Sequence, residues 1–380
     1  MSLIIDVHAL QTIPPSLINR DDTGAPKSAI FGGVPRQRVS SQSWKRAIRS
    51  YFHDNVDPEM IGARSTRLPE KIAKATQQMA GWDVETSISR VQDLFGAAKI
   101  KTEVAKPKKS QGAEEATDAS PYPRTGYLLF LSPHQVEKAA ELLVSKNGDK
   151  ISKSEAQSVL NGEHSADIAM FGRMVADDAA FNVDAAVQVA HALGIHASSP
   201  EFDYFTAVDD LAAEGQETGA GMIGTVQMMS STMYRYATIN VDGLTENLGS
   251  AEAARNAAGH FIDAFAKALP TGKVNTFANQ TLPELIYVAV RDTRPVSFVN
   301  AFEEPIETSN ASGRRLAGAE ALANEAEQVE KVYGFKPLAA FVSGLNNLNE
   351  PFDDIADYVS FDELIERTRA AVAAAQGETA

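Results

Sequence analysis

Apolar positions along this chain fall into short alternating runs and longer runs with helical spacing. Near the start, Ile5, Val7 and Ala9 alternate with Asp6 and His8. That period of two predicts a half-buried strand from Leu3 to Leu10. Turn formers follow, Pro14-Pro15, Asp21-Asp22, Gly24, Pro26 and Gly32-Gly33, and predict a loop to about Val39. A loop of roughly 25 residues inside a compact domain is uncommon and usually functional. Beyond it, Trp44, Ala47, Ile48 and Tyr51 recur at i, i+3, i+4 and i+7. This stripe predicts a helix over 41–52, with Ser40 or Ser41 as its N-cap.

Residues 54 to about 120 read as mostly helical, and the polar stretch from Lys101 to Ser120 predicts a mobile loop. Thr125 to Leu131 reads as a buried strand. Ser132-Pro-His-Gln135 then caps a helix to about Ser145, with proline at the first helical position. Ala169–Met174 and Ala186–Leu193 read as strands, although the second also has spacing that fits a short helix. Pro200 to Ile223 holds six acids, no cations and three glycines, which predicts a projecting loop or hairpin. Further strands are expected at Met233–Val241 and Leu285–Arg291, with a helix from Ser250 to about Leu269 between them. A last helix starts at Ser360, with Glu363 in capping-box position. Strands separated by helices and long inserts define an α+β class, and no internal repeat is present.

Composition narrows the possibilities. The 380 residues are 44% apolar and 22% charged, which excludes wholesale disorder and fibrous folds. No run approaches the roughly 18 apolar residues of a membrane span. The opening residues lack the basic and long apolar regions of a secretory signal, so a cytoplasmic protein with no membrane partner is expected. The absence of cysteine excludes disulfides, thiolate metal sites and cysteine nucleophiles. A net charge of −15 argues against a polyanionic partner, but its distribution argues the other way. Arg20 to Arg49 is locally +5, and Asn349 to Ala380 is locally −6. Exposed charges more than about 8–10 Å apart are largely screened at cellular salt, so a local patch decides what binds.

Catalytic signatures are sparse. His191 and His196 are five apart, which sets them on opposite faces of a strand and apart on a helix. The sequence contains no His-Glu-x-x-His pattern, no nucleophile elbow and no phosphate-binding P-loop. Gly219-Ala-Gly221 lies among acids that would repel phosphate. No catalytic residue, cofactor or metal is therefore expected. The stretch from Gly32 to Arg49 offers more. A helix start presents unpaired N–H groups and partial positive charge. Here it is framed by Ser40, Ser41, Gln42 and Ser43. Lys45 and Arg49 are i, i+4 neighbours, Arg46 flanks the apolar stripe, and Arg36 and Arg38 share one side of an extended segment. Such a cluster suits the phosphates of a nucleic-acid backbone, contacted without reading bases. A capped, solvated helix face would show the same residues, and the residues alone leave both readings open.

Several of these segments together resemble a known family. Asn19-Arg-Asp-Asp22, Lys27-Ser-Ala-Ile-Phe-Gly-Gly33 and Arg38-Val-Ser-Ser-Gln-Ser-Trp-Lys-Arg-Ala-Ile-Arg49 resemble the opening of the CasC-type backbone subunits of the type I-E Cascade complex, an RNA-guided CRISPR antiviral defence ribonucleoprotein. Phe171-Gly-Arg-Met174, Val189-Ala-His-Ala192, Tyr204 to Leu211, Tyr234-Arg-Tyr-Ala-Thr-Ile-Asn240 and Glu246-Asn-Leu-Gly249 continue the match in the same order. Together they span about half the chain; residues 54–165 and the C-terminal hundred match loosely.

The resemblance implies an RRM-like (ferredoxin-like) palm at 1–53, 166–196 and 226–380, a helical finger insertion at 54–165, and a projecting thumb hairpin at 197–225. It implies copies polymerised head to tail on CRISPR guide RNA, with other Cascade subunits as partners and target DNA engaged through the guide. Arg20, Lys27, Ser40, Gln42, Lys45 and Arg49 would hold guide phosphates. Arg38, Ser41 and Arg46 adjoin them, and Arg173 belongs to the same matched motifs. Met174 and Phe205 would wedge beside a displaced base. An acidic thumb suits steric and subunit contacts rather than phosphate. The family has no nuclease activity of its own, so no enzyme activity is expected. An alternative is an RNA-cleaving backbone subunit using Asp21 or Asp22 to activate a target 2′-OH; the bland reading has these acids bracing their loop. A third option is a metabolite enzyme holding a phosphate at Ser40–Ser43.

Overall fold

A computed structural model describes residues 2–104, 120–175, 177–207, 222–307 and 313–377. The chain divides into two compact units. One comprises Met1–Phe52, Gln188–Val241 and Ala258–Ala380; the other comprises His53–Val187 and Asp242–Ala257. Residues 166–187, placed with the palm by the sequence reading, thus fall in the second unit.

The first unit is built on a sheet. Its first strand, β1 (Ile4–Ser16), pairs antiparallel on one side with Met222–Asn240 and on the other with Leu285–Arg291. The path continues outward from Leu285–Arg291 to Ala339–Gly344 and Asp357–Tyr358. On the opposite flank it runs from Met222–Asn240 through Ala192–Gly194 to β3 (Val34–Val39) and β2 (Ser28–Phe31).

Both faces of β1 are covered, which corrects the half-buried expectation. Asp6 and His8 are as buried as Val7 and Ala9. On the polar face, Tyr236 donates to Asp6 at 2.9 Å and the Arg291 guanidinium pairs with it at 3.2 Å. His8 bonds the Tyr234 hydroxyl at 2.9 Å and stacks 4.5 Å from Phe298. A cluster of Leu10, Tyr234, Tyr287, Phe298, Phe302 and Leu322 closes that side, the last from the helix Gly313–Tyr333. Alternation therefore predicts the strand correctly, but its polar residues are internally paired rather than solvated.

The second unit carries helices Leu68–Ala80, Val84–Ala97, Pro133–Lys146 and Lys153–Asn161 around one apolar cluster. Ser132 and Ser152 each form a capping box, with Gln135 and Glu155 respectively. The strand expected across Thr125–Leu131 is broken into Pro123–Thr125 and Leu129–Leu131. Ala166–Phe171 is a short helix, not the start of a strand, and only Arg173 makes a β-bridge, to Val183. Most of Lys101–Ser120 lies outside the described residues, as does the tip of the predicted thumb, 208–221. The legs of that hairpin, Glu201–Ala207 and Met222–Asn240, pair antiparallel. No helix among the described residues is long and apolar enough to cross a membrane.

Candidate nucleic-acid interface

The segment expected to be a bare loop before the first helix contains a hairpin. Strands β2 and β3 meet at Gly32 and Gly33, whose φ values of +59° and +77° fit a two-residue turn with both central residues left-handed. A Cβ on Gly32 would stand 1.6 Å from the Glu303 carbonyl oxygen, so the backbones touch there. Two consecutive glycines are what such a turn requires.

The hairpin returns Arg38 beside Lys27, and the Arg38 amide donates to the Lys27 carbonyl at 2.9 Å. Arg20 bridges to Pro26, closing the preceding loop. Inside that loop the Asp21 carboxylate accepts from the Thr23 hydroxyl (2.7 Å) and from the amides of Thr23 (2.9 Å) and Ala25 (3.0 Å). The Thr23 hydroxyl, with these amides, holds its pKa below the usual carboxylate range. Asp21 therefore braces the turn.

Helix α1 (Ser41–Asn55) leaves β3 directly. Its Ser40 N-cap accepts the Ser43 amide at 3.3 Å, and the Ser40 amide donates to Asn19 Oδ1 at 2.9 Å. The Ser41 amide donates to His191 Nδ1 at 3.0 Å. His191 is solvent-exposed, and its protonation is disfavoured by partial burial and by the charges of Arg38 and Lys27. The helix start, Lys27, Arg38 and His191 thus converge. Spacing alone reads His191 as structural and misses this placement; the available signal is its position in the matched Val189–Ala192 segment.

Along α1, Trp44, Ile48 and Phe52 are buried, while Ala47 and Tyr51 are half-buried. Gln42 and Arg46 are exposed one turn apart, and Ser41, Lys45 and Arg49 form a half-buried row beside them. Partial burial lowers the Lys45 pKa. The Ser41 and Ser43 amides are occupied within the protein, by His191 and Ser40 respectively. Ser40, 6% exposed, chiefly shapes the junction.

Two cations do not join the set. Arg36 is buried and donates to the carbonyls of Phe31, Gly194, Phe302 and Glu303 at 2.9–3.1 Å, stapling the hairpin to the sheet. Arg173, expected among the RNA contacts, is enclosed within the second unit. It is 5% exposed and donates to the carbonyls of Phe181, Phe130 and Leu160 and to Asn161 Oδ1, within the second unit. Four of its five N–H donors are thereby taken by protein acceptors. Its neighbour Met174 is 84% exposed, and Phe205 is 43% exposed on its hairpin. Among the described residues no His, Asp or Glu cluster could hold a metal ion.

A family model described as CT1975-like protein matches residues 5–367. The chain belongs to the CT1975-like family. This CT1975-like chain is similar to a chain in a solved "CRISPR RNA-guided surveillance complex, pre-nicking", at 33% identity and a TM-score of 0.80. That match covers 97% of this chain and 100% of the other. A second chain, from a "CRISPR RNA-guided surveillance complex", matches at 29% identity and TM-score 0.69, over 97% and 99% of the two chains. No curated protein sequence matches the CT1975-like chain.

Proposed function

We propose that this chain is a guide-RNA-holding backbone subunit of a type I-E Cascade-like complex. Copies polymerise head to tail on the guide, beside other Cascade subunits, and present the guide for pairing with target DNA. The observation that carries this reading is the placement of Arg20, Lys27, Arg38 and Gln42 at one hairpin-to-helix junction, with Lys45, Arg46 and Arg49 along the helix that leaves it. It occurs in a chain whose solved relatives sit in RNA-guided complexes. A subunit repeated along any guide needs contacts indifferent to sequence, and phosphate contacts supply them. Sequence reading is then left to base pairing.

The sheet supports an RRM-like palm. Strand order Leu285–Arg291, β1, Met222–Asn240, Ala192–Gly194, all antiparallel, is that of a βαββαβ unit. Helices α1 and Ala251–Lys267 occupy its two crossover positions. The fingers would be the helical second unit and the thumb the Glu201–Ala207 hairpin, with Met174 and Phe205 as wedges. The subunit holds RNA without cutting it, and the engagement of Asp21 by Thr23 and Ala25 favours that role over catalysis.

The test is to purify the chain with its native operon partners and extract bound nucleic acid. Co-purifying RNA of uniform length is expected, and absorbance without nucleic acid would contradict the proposal. Adding divalent metal and an RNA complementary to the guide should leave that RNA intact. Cuts at regular intervals would establish the cleaving alternative.

A further inference from the structure

Phe205 lies directly opposite Gly224 in the antiparallel hairpin formed by Glu201–Ala207 and Met222–Asn240. A Cβ on Gly224 would stand 2.3 Å from Phe205 Cζ and 2.8 Å from both Cε atoms. The far edge of the ring therefore rests on the Gly224 backbone, in space that every other residue type would fill. Gly224 has no left-handed backbone to explain it, since its φ lies outside the positive range. A glycine within a strand weakens pairing and is commonly found where another group approaches closely. Here the approaching group is an aromatic ring from the facing strand, a cross-strand pair in which the ring covers the bare glycine.

We propose that Gly224 is a positioning residue for Phe205. Its missing side chain makes the seat that holds the ring against the hairpin, one edge fixed and the rest presented outward. Phe205 stays 43% exposed while its rotamer is restricted by contact with its own hairpin. A wedge acts by occupying a fixed place, and a freely swinging ring would fold aside when a base pressed on it. The neighbours across the pair bear this out in their spacing: Phe202 and Tyr204 are both exposed on the opposite face of the strand, over Gln227 and Thr225 rather than over a glycine. Only the alternate position, Phe205, is given a seat. The proposal rests on the reading above, in which Phe205 wedges beside a displaced guide base.

Two measurements separate the seat from the wedge. In the first, the full chain carries 4-fluorophenylalanine at position 205, and its fluorine resonance is recorded with glycine or with Gly224→Ala. A resonance displaced from the solvent-exposed value, moving to that value in Gly224→Ala, is expected. A solvent value already present with Gly224 would overturn the seat and leave the role of Phe205 untouched. In the second, the assembled complex is formed on guides bearing 2-aminopurine at successive positions, and bright positions report unstacked bases. Gly224→Ala and Phe205→Leu should each lose the bright–dark contrast. The double variant should match Phe205→Leu alone, because the shorter side chain leaves nothing for the new methyl to strike. An additional loss in the double variant would mean that the glycine serves the backbone, which overturns the proposal. Full contrast in Gly224→Ala overturns it as well. Full contrast in Phe205→Leu instead removes the wedge reading, and with it any use for the seat.

Discussion

The Arg235 guanidinium lies 3.7 Å from the centre of the Trp44 ring, joining the central strand of the sheet to the helix that carries the candidate RNA face. The centre of the Phe265 ring lies 4.3 Å away. Gln11 Oε1 accepts from it at 2.6 Å, and the Phe265 carbonyl accepts a further bond. Burial lowers its pKa to about 9, so it remains charged at neutral pH with aromatic faces instead of a carboxylate around it. Arg235→Met should remove the cation–π interactions and strand two acceptors, costing about 3 kcal/mol. The urea midpoint of the purified chain measures this. An unchanged midpoint would show that α1 is held by its apolar stripe alone.

Arg173 separates structural from RNA-contacting cations. Replacing it with glutamine removes donors from three buried carbonyls in the second unit. A loss of about 3 kcal/mol in stability is expected, because buried acceptors are deprived of charged partners. The slope of guide affinity against salt should stay as it was. A reduced slope at full stability would return Arg173 to the phosphate-binding set.

Acid should weaken the first unit through His8. Burial holds its pKa well below 6.5. The unfolded chain then binds a proton that the folded chain does not, so stability present above the unfolded value is lost as pH falls through and below it. The expected contribution is about 1.4 kcal/mol per pH unit on the acid side of that value. His196, also shifted down by burial, adds in the same direction. Denaturation midpoints between pH 7.5 and pH 5 (about the range where histidine titrates) should fall with pH in the wild type and less steeply in His8→Gln. Parallel pH profiles would assign the acid sensitivity elsewhere.

Much of this architecture is legible in the sequence because its signals are local. The caps at Ser132 and Ser360, the stripe on α1 and the apolar runs at Leu285–Arg291 and Met233–Val241 each state their element within a few residues. What is not legible depends on distant chain. Asp6 and His8 look like a solvent face until Arg291, Tyr236 and Tyr234 supply their partners. Arg36 and Arg38 look equivalent by spacing, but only Arg36 meets the carbonyls of Gly194 and Phe302. Arg173 reads as an RNA contact because its neighbours match a motif; the motif's exposed member is Met174. The hairpin at Gly32-Gly33 hides within a run of turn formers, since Ser28–Phe31 offers just four residues of pattern. The helix Gly313–Tyr333 faces its core chiefly with Gly318, Ala319, Leu322, Ala323 and Ala326, too weak a stripe to announce itself.

The most direct measurement is guide retention against salt for guides of unrelated sequence, in wild type and in Lys45→Ala combined with Arg49→Ala. Both residues lie in the half-buried row of α1 beside the junction. The double variant should weaken every guide to a similar degree and flatten the logarithmic salt slope by about 0.7 for each phosphate of a single strand that it no longer neutralises. Weakening restricted to some guides, or an unaltered slope, would mean that the junction does not grip the RNA backbone.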